Sequence, residues 1–204
     1  DHRDLHSFPT RRSSDLSTGR ASRLVSQLLS LTRSDAATSF AATRSIDLDA
    51  LVQQRLAALA PIADEAEVEL EMVASAGQQV EGDAESLASL IDNLVQNAIK
   101  YAPTGTRVRV STAADASRAN LVVEDEGPGI PQELRPRVFD RFYRAPDQEQ
   151  PGSGLGLAIV KAVADRHHAS IALDTAEGGR GLKVRVSFPG LHTRSGTAAR
   201  GRPA

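Results

Sequence analysis

The sequence contains no cysteine. Disulfides and thiolate metal sites are therefore excluded, and the chain suits a reducing compartment. No apolar run approaches the roughly 20 residues that a membrane-spanning helix needs, and no signal-peptide pattern is present. Charge of one sign is also lacking. Lys and Arg number 24 against 26 Asp and Glu, a formal net charge of −2. No basic field points to nucleic acid, and no segment repeats. What remains is 204 residues, 40% hydrophobic and 25% charged, enough for one well-cored domain plus flanking pieces.

Residues 1–16 show neither hydrophobic period nor helix-capping logic. Codon by codon they match a common DNA-sequencing adapter, so they are expected to be a non-native extension; the alternative is a natural disordered tail. From Ser17 to Asp35, Leu24, Leu28 and Leu31, widened by Val25 and Leu29, form an apolar stripe at helical spacing. One helix cannot bury that stripe alone, so it needs a partner helix or the domain behind it. Residues 36–45 are small and polar, a linker.

The globular part is expected over residues 41–190. A helix over Asp47–Glu65 presents Leu51, Val52, Arg55, Leu56, Leu59 and Ile62 on one face. Val68–Val73 alternates as a half-buried strand, with Gln79–Glu81 as a short partner. Asp83 caps a helix that runs to Tyr101. Arg107–Thr112 and Asn120–Glu124 read as strands. A long connection over Pro131–Pro151 carries a helical turn near Phe139. A glycine-led helix reaches about His167, and Ser170–Asp174 with Lys183–Phe188 forms a hairpin around Glu177-Gly178-Gly179. Helices interleaved with mainly antiparallel strands predict an α/β fold, a two-layer α/β sandwich. Leu191–Ala204 is polar, basic and unpatterned, the composition of a disordered tail.

Three constellations carry chemistry. On the Asp83–Tyr101 helix, Leu87, Leu90, Ile91, Leu94, Val95 and Ala98 make the core stripe, while Asn93, Asn97 and Lys100 fall about 140° away at 100° per residue. That face is either ordinary solvated surface or a site. Asn is a poor helix former, and its amide oxygen can ligate a hard Mg²⁺ ion. Asp125 ends a strand before Gly127-Pro128-Gly129-Ile130. Asp-x-Gly is often only a turn, yet a buried carboxylate there could accept a hydrogen bond from adenine's exocyclic amine and reject guanine. Glu124 and Glu126 are expected to face solvent or the strand's other side. Last, Gly152-Ser153-Gly154-Leu155-Gly156-Leu157 opens an apolar helix, where bare backbone and a helix N-terminus suit an anion.

In order and spacing, Asn93…Asn97…Lys100-Tyr101, Asp125-x-Gly127-x-Gly129, Phe139-Asp140-Arg141-Phe142 and Gly152–Leu157 resemble the N, G1, F and G2 boxes of sensor histidine kinase ATP-binding domains. These belong to the gyrase-type ATPase superfamily. The resemblance covers roughly Asp47–Pro189 and implies the Bergerat ATP-binding fold with ATP and Mg²⁺ as cofactors. It further implies Asn97 as the Mg²⁺ ligand, Asn93 and Lys100 on phosphates, Tyr101 bordering the nucleotide and Asp125 on adenine. Residues 17–40 would then be the second helix of a dimerising, phosphoacceptor hairpin. The implied partners are a second copy through a helical bundle and a response-regulator receiver domain, with no nucleic acid. The implied location is cytoplasmic, within a parent protein of the bacterial inner membrane anchored by segments preceding these residues.

The long connection has the length of a lid. Phe139 and Phe142 could anchor it, Arg141 and Arg144 are candidate phosphate contacts, and Asp147–Gln150 reads as a mobile tip. Hydrolytic superfamily members carry glutamate where Asn93 stands, and an amide cannot accept that proton. Asn93 thus favours transfer of the γ-phosphate to a nucleophile supplied elsewhere. The five histidines include none in the family's phosphoacceptor motif; His167 and His168 end a helix, where cations are favoured. Two alternatives stand beside the histidine kinase: an anti-sigma-factor-type serine kinase, and a non-catalytic nucleotide-binding scaffold.

Overall fold

The computed structural model describes residues 44–74, 77–115, 118–145, 150 and 152–190. The expected extension, the Ser17–Asp35 helix, most of the linker, residues 147–149 and the C-terminal tail lie outside the described residues. Along the chain run β1 (Arg44–Asp47), α1 (Leu48–Glu65), β2 (Glu69–Ala74), β3 (Gln79–Gly82), α2 (Ala84–Tyr101), β4 (Arg107–Asp115), β5 (Arg118–Glu124), α3 (Gly156–Arg166), β6 (Ser170–Thr175) and β7 (Leu182–Pro189). Five strands form one sheet in the order β2-β4-β5-β7-β6. The β2–β4 pair is parallel and the other pairs are antiparallel.

Period-2 alternation sends Val108 and Val110 of β4, Leu121 and Val123 of β5, and Val184 and Val186 of β7 to one face, all buried. The helices cover that face. From α2 come Leu87, Leu90, Ile91, Leu94 and Val95, from α3 Ile159, Val160 and Val163, and from α1 Leu48, Val52, Leu56 and Leu59. Each fully buried side chain of this size contributes about 1.5–3 kcal/mol, so the helix layer is fixed chiefly by these contacts. The opposite sheet face is polar, with Lys183 paired to Glu124 at 2.7 Å. Glu124 is thus held by a neighbouring strand, and Glu126 lies 3.9 Å from Arg107.

Caps set the helix starts. Asp47 accepts from the Ala50 N–H and Asp83 from the Ser86 N–H, both at 2.9 Å, contacts worth roughly 1 kcal/mol each. Asp92 of α2 takes a two-pronged hydrogen bond from Arg55 of α1, both at 2.7 Å, fixing the rotation of one helix against the other. Asp49, 6% exposed, accepts from the Gly77 N–H and the Thr112 hydroxyl. It ties α1 to the β2–β3 turn and to β4.

Three expectations are corrected. Residues 44 and 45 belong to a strand rather than a linker, that strand takes in Ile46 and Asp47, and β3 pairs with it, Ser45 opposite Glu81, instead of with β2. Ile62 is 46% exposed while Ala63 is buried, because α1 turns its last core position one residue on. His167 is not a solvated cation at a helix end but is 8% exposed. Its Nδ1–H donates to the Val163 carbonyl at 2.8 Å and its Nε2 accepts from the Asp83 N–H at 3.2 Å. Those two bonds assign the neutral tautomer. Burial pushes its pKa down, despite the Val163 bond and the nearby Asp83.

Candidate nucleotide site

A cleft of about 990 Å³ opens between α2, the start of α3, the ends of β5 and β7 and the long connection. Asn93, Asn97, Lys100 and Tyr101 line it from α2, Asp125, Gly129 and Ile130 from the end of β5, and Gly152, Ser153, Gly154, Gly156 and Leu157 from the glycine-rich turn. Three segments far apart in sequence converge on one concavity, as ligand sites in α/β folds do.

At one end, Asp125 is 6% exposed. Its Oδ1 accepts from the N–H of Gly127 at 2.8 Å and of Leu182 at 3.2 Å, while its own N–H donates to the Leu182 carbonyl at 3.0 Å. Burial raises its pKa, and the two backbone N–H groups oppose that rise. With Oδ1 committed to backbone, Oδ2 remains the acceptor for a ligand. Gly181 makes this arrangement possible. Its φ is +92°, and a Cβ there would sit 1.9 Å from the Asp125 carbonyl oxygen, so only glycine allows β7 to approach so closely.

At the other end, Asn93 and Asn97 lie against the first turn of α3. A Cβ on Gly156 would fall 3.3 Å from Asn93 Oδ1 and 3.1 Å from Asn97 Nδ2. Asn93 Nδ2 donates to the Ser89 carbonyl at 2.8 Å, which turns Oδ1 toward α3. No side chain caps α3, whose N-cap position is Leu155. Its positive dipole end meets the cleft at Gly156 and Leu157, a ready anion site. Lys100 Nζ donates to the Tyr101 hydroxyl at 2.7 Å and lies 2.7 Å from where a Gly152 Cβ would be. A cation, two amides and a helix N-terminus therefore share the phosphate-suited end, and a carboxylate stands at the other.

The fit of a divalent ion to this donor set rests on amide oxygens. Among the described residues no group of three or more His, Cys, Asp or Glu could hold a metal. Amide oxygens from α2, completed by ligand phosphates and water, are what Mg²⁺ chemistry accepts.

Of the other predicted residues, only Arg144 lines the cleft. Gly127 packs against the Tyr101 carbonyl, behind the cleft wall. Leu155 is fully buried in the core. Arg144 lines the cleft and donates to the Gln150 carbonyl at 2.8 Å. Arg141 and Phe139 are outside the lining. Phe142 is 63% exposed, so it does not anchor the connection by burial. The backbone does so instead. The Phe142 N–H donates to the Gly154 carbonyl at 3.0 Å, where Gly154 (φ +70°) leaves no room for a side chain. Residues that sequence patterns did not single out also line the cleft, notably Leu182, Val184 and Tyr143, and so does Ile62, expected in the core.

The model of the histidine kinase-, DNA gyrase B- and HSP90-like ATPases matches residues 82–192. Sensor protein QseC of Escherichia coli (strain K12) is 36% identical over 170 residues, covering 83% of this chain and 37% of QseC. The histidine-protein kinase/phosphatase MprB of Mycobacterium sp. (strain KMS) is 41% identical over 174 residues, covering 83% and 33%. A solved mycobacterial sensor histidine kinase MprB superposes with a TM-score of 0.65 at 34% identity, covering 72% of this chain and 97% of that one. The chain spans about a third of the length of the curated relatives it matches.

Proposed function

The chain belongs to the histidine kinase-, DNA gyrase B- and HSP90-like ATPase family, on its sensor histidine kinase branch, and from that premise we propose that its cleft binds Mg-ATP and presents the γ-phosphate to a histidine on a separate helical hairpin. The observation that carries this reading is the polarity of the cleft. A buried carboxylate with one free oxygen suits adenine's amine, and across the cavity a cation, two amides and an uncapped helix suit phosphates.

The residues divide the work. Asp125 selects the base. Lys100 and the start of α3 take up phosphate charge, and Arg144 extends that positive rim. Asn97 would hold Mg²⁺ through its amide oxygen, with Asn93 beside it on the phosphates, and the ion would supply neutralisation of the charge that develops there. Asn93 cannot accept a proton from water, so this end of the cleft holds the γ-phosphate without driving hydrolysis. Phosphoryl transfer of this kind rests on positioning and charge stabilisation.

In the longer protein, residues 17–40 would form the second helix of the dimerising hairpin, with residues 41–190 as the catalytic domain of a membrane-anchored sensor kinase. A receiver domain is the proposed downstream partner. In support, the fold neighbour ThkA was solved in complex with response regulator protein TrrA.

Incubation with γ-labelled ATP tests the proposal. The chain alone is expected to release phosphate only slowly and to carry no label, since none of its five histidines lies in an acceptor motif. An intact hairpin with its own acceptor histidine, added in trans, should be labelled at low efficiency, because the step loses effective concentration. Rapid phosphate release that Asn97→Ala abolishes would place the chain with the hydrolytic members instead.

A further inference from the structure

None of the motifs accounts for Arg135, which sits where the long connection leaves the cleft. We propose that Arg135 is a positioning residue that braces the Ile130–Leu134 wall of the base end of the cleft against the edge of the sheet. This role rests on the ATP reading of the cleft.

The guanidinium makes three bonds at once. Nε donates to the Ile130 carbonyl at 3.1 Å, Nη1 to the Leu173 carbonyl at 2.9 Å, and Nη2 to the Thr175 hydroxyl at 3.2 Å. Leu173 and Thr175 belong to β6, an edge strand of the sheet. Arg135 thus joins the sheet edge to the wall, using the fixed fork of an arginine. A lysine ammonium, a point charge, cannot span three acceptors in that plane.

What the brace holds matters. Ile130, Pro131 and Leu134 all line the cleft. The wall follows directly on Gly129, whose backbone abuts Gly181, and Gly181 in turn abuts Asp125. It therefore stands at the carboxylate end and not at the phosphate end. Within the wall itself the supports are turn hydrogen bonds such as Leu134 N–H to the Pro131 carbonyl at 3.0 Å. Residues 131–133 are exposed, so little burial holds them. Removing the fork leaves the base with a wall that is formed only part of the time. Apparent affinity falls by the fraction formed, about tenfold if the wall is in place one time in ten.

The test compares Mg-ADP with Mg-tripolyphosphate, which has no base, as competitors of a fluorescent nucleotide. Arg135→Ala should weaken ADP about tenfold and leave tripolyphosphate within twofold of wild type; Arg135→Lys should fall between. ADP affinity within twofold of wild type in a folded Arg135→Ala protein overturns the role. So does an equal loss for both probes, which would mean general loosening. Should Arg135→Ala fail to fold, Thr175→Val removes one prong, and hydrogen exchange compares it with wild type. The Leu134 amide should exchange faster in Thr175→Val than in wild type, and equal protection in the two overturns the inference. A wild-type chain that binds no ADP overturns the ATP reading and this role with it, whereas unchanged ADP binding in the folded variant overturns this role alone.

Discussion

Replacing Asp125 by asparagine isolates one hydrogen bond while sparing the surrounding backbone. Asparagine keeps an oxygen where Oδ1 accepts from Gly127 at 2.8 Å and Leu182 at 3.2 Å. The amide then places Nδ2, a donor, where the free carboxylate oxygen was. Adenine's exocyclic amine would meet a donor with a donor. A hydrogen bond to a charged group is worth about 1.5–3 kcal/mol, so ADP affinity should fall roughly ten- to a hundredfold. Stability should move the other way. Burial raises the Asp125 pKa above its unfolded value. A carboxyl of that kind contributes stability below the unfolded pKa of about 3.9 and loses it as pH rises through the folded value. At neutral pH the carboxylate is therefore a cost to the fold, and the neutral amide removes it. Titration calorimetry with Mg-ADP and thermal unfolding at pH 7 together read both effects. Weaker binding with an unchanged or higher Tm supports the assignment. Equal affinity of wild type and variant would remove Asp125 from the base site, and a lower Tm would mean that the variant perturbs the Gly181 approach.

Asn97→Ala should weaken ATP binding roughly tenfold in magnesium yet little in excess chelator, since the lost oxygen belongs to the ion; equal losses in both conditions would refute that role. Arg144→Ala should leave ADP affinity within about twofold and weaken ATP more, which paired Kd measurements would show. For His167 the sign is fixed by its neutral tautomer. Its folded pKa lies below the unfolded value, so stability is intact above about pH 6.5 and is lost as pH falls toward the folded pKa. Arg166, Asp83 and His168 are the groups that act on it electrostatically. Thermal unfolding at pH 7.5 and 5.5 should show this loss in wild type and a smaller one in His167→Gln, which can still accept from the Asp83 N–H.

The parts legible in sequence were those set by local pattern. The 3.6-residue stripe of α2 and its Asp83 cap fixed both the helix and the face bearing Asn93 and Asn97. Three features needed tertiary context. The four residues of β1 carry too little period to stand out, and their partner β3 lies more than thirty positions on, Ile46 opposite Val80. Gly181 reads as one more turn glycine, because its demand for space comes from Asp125, which is distant in sequence. His167 obeys the helix-dipole expectation only if solvated, and burial against Asp83 and Phe188 overrides it. Phe142, though not the half-buried Phe139, failed as an anchor for a related reason. Spacing of i, i+3 implies a shared face only in a helix, and residues 132–142 form successive turns, with Phe142 in the left-handed region at φ 62°.

The central claim is that one cleft takes the whole nucleotide, base at Asp125 and phosphates at α2 and α3. Heteronuclear NMR of the labelled chain titrated with Mg-ATP tests this directly. Saturable amide shifts should concentrate at Asn93, Asn97, Tyr101, Asp125, Gly127, Gly154 and Gly156, with Arg109 and Arg185 on the far face of the sheet unmoved. Shifts confined to that far face, or none up to millimolar Mg-ATP, would contradict the account.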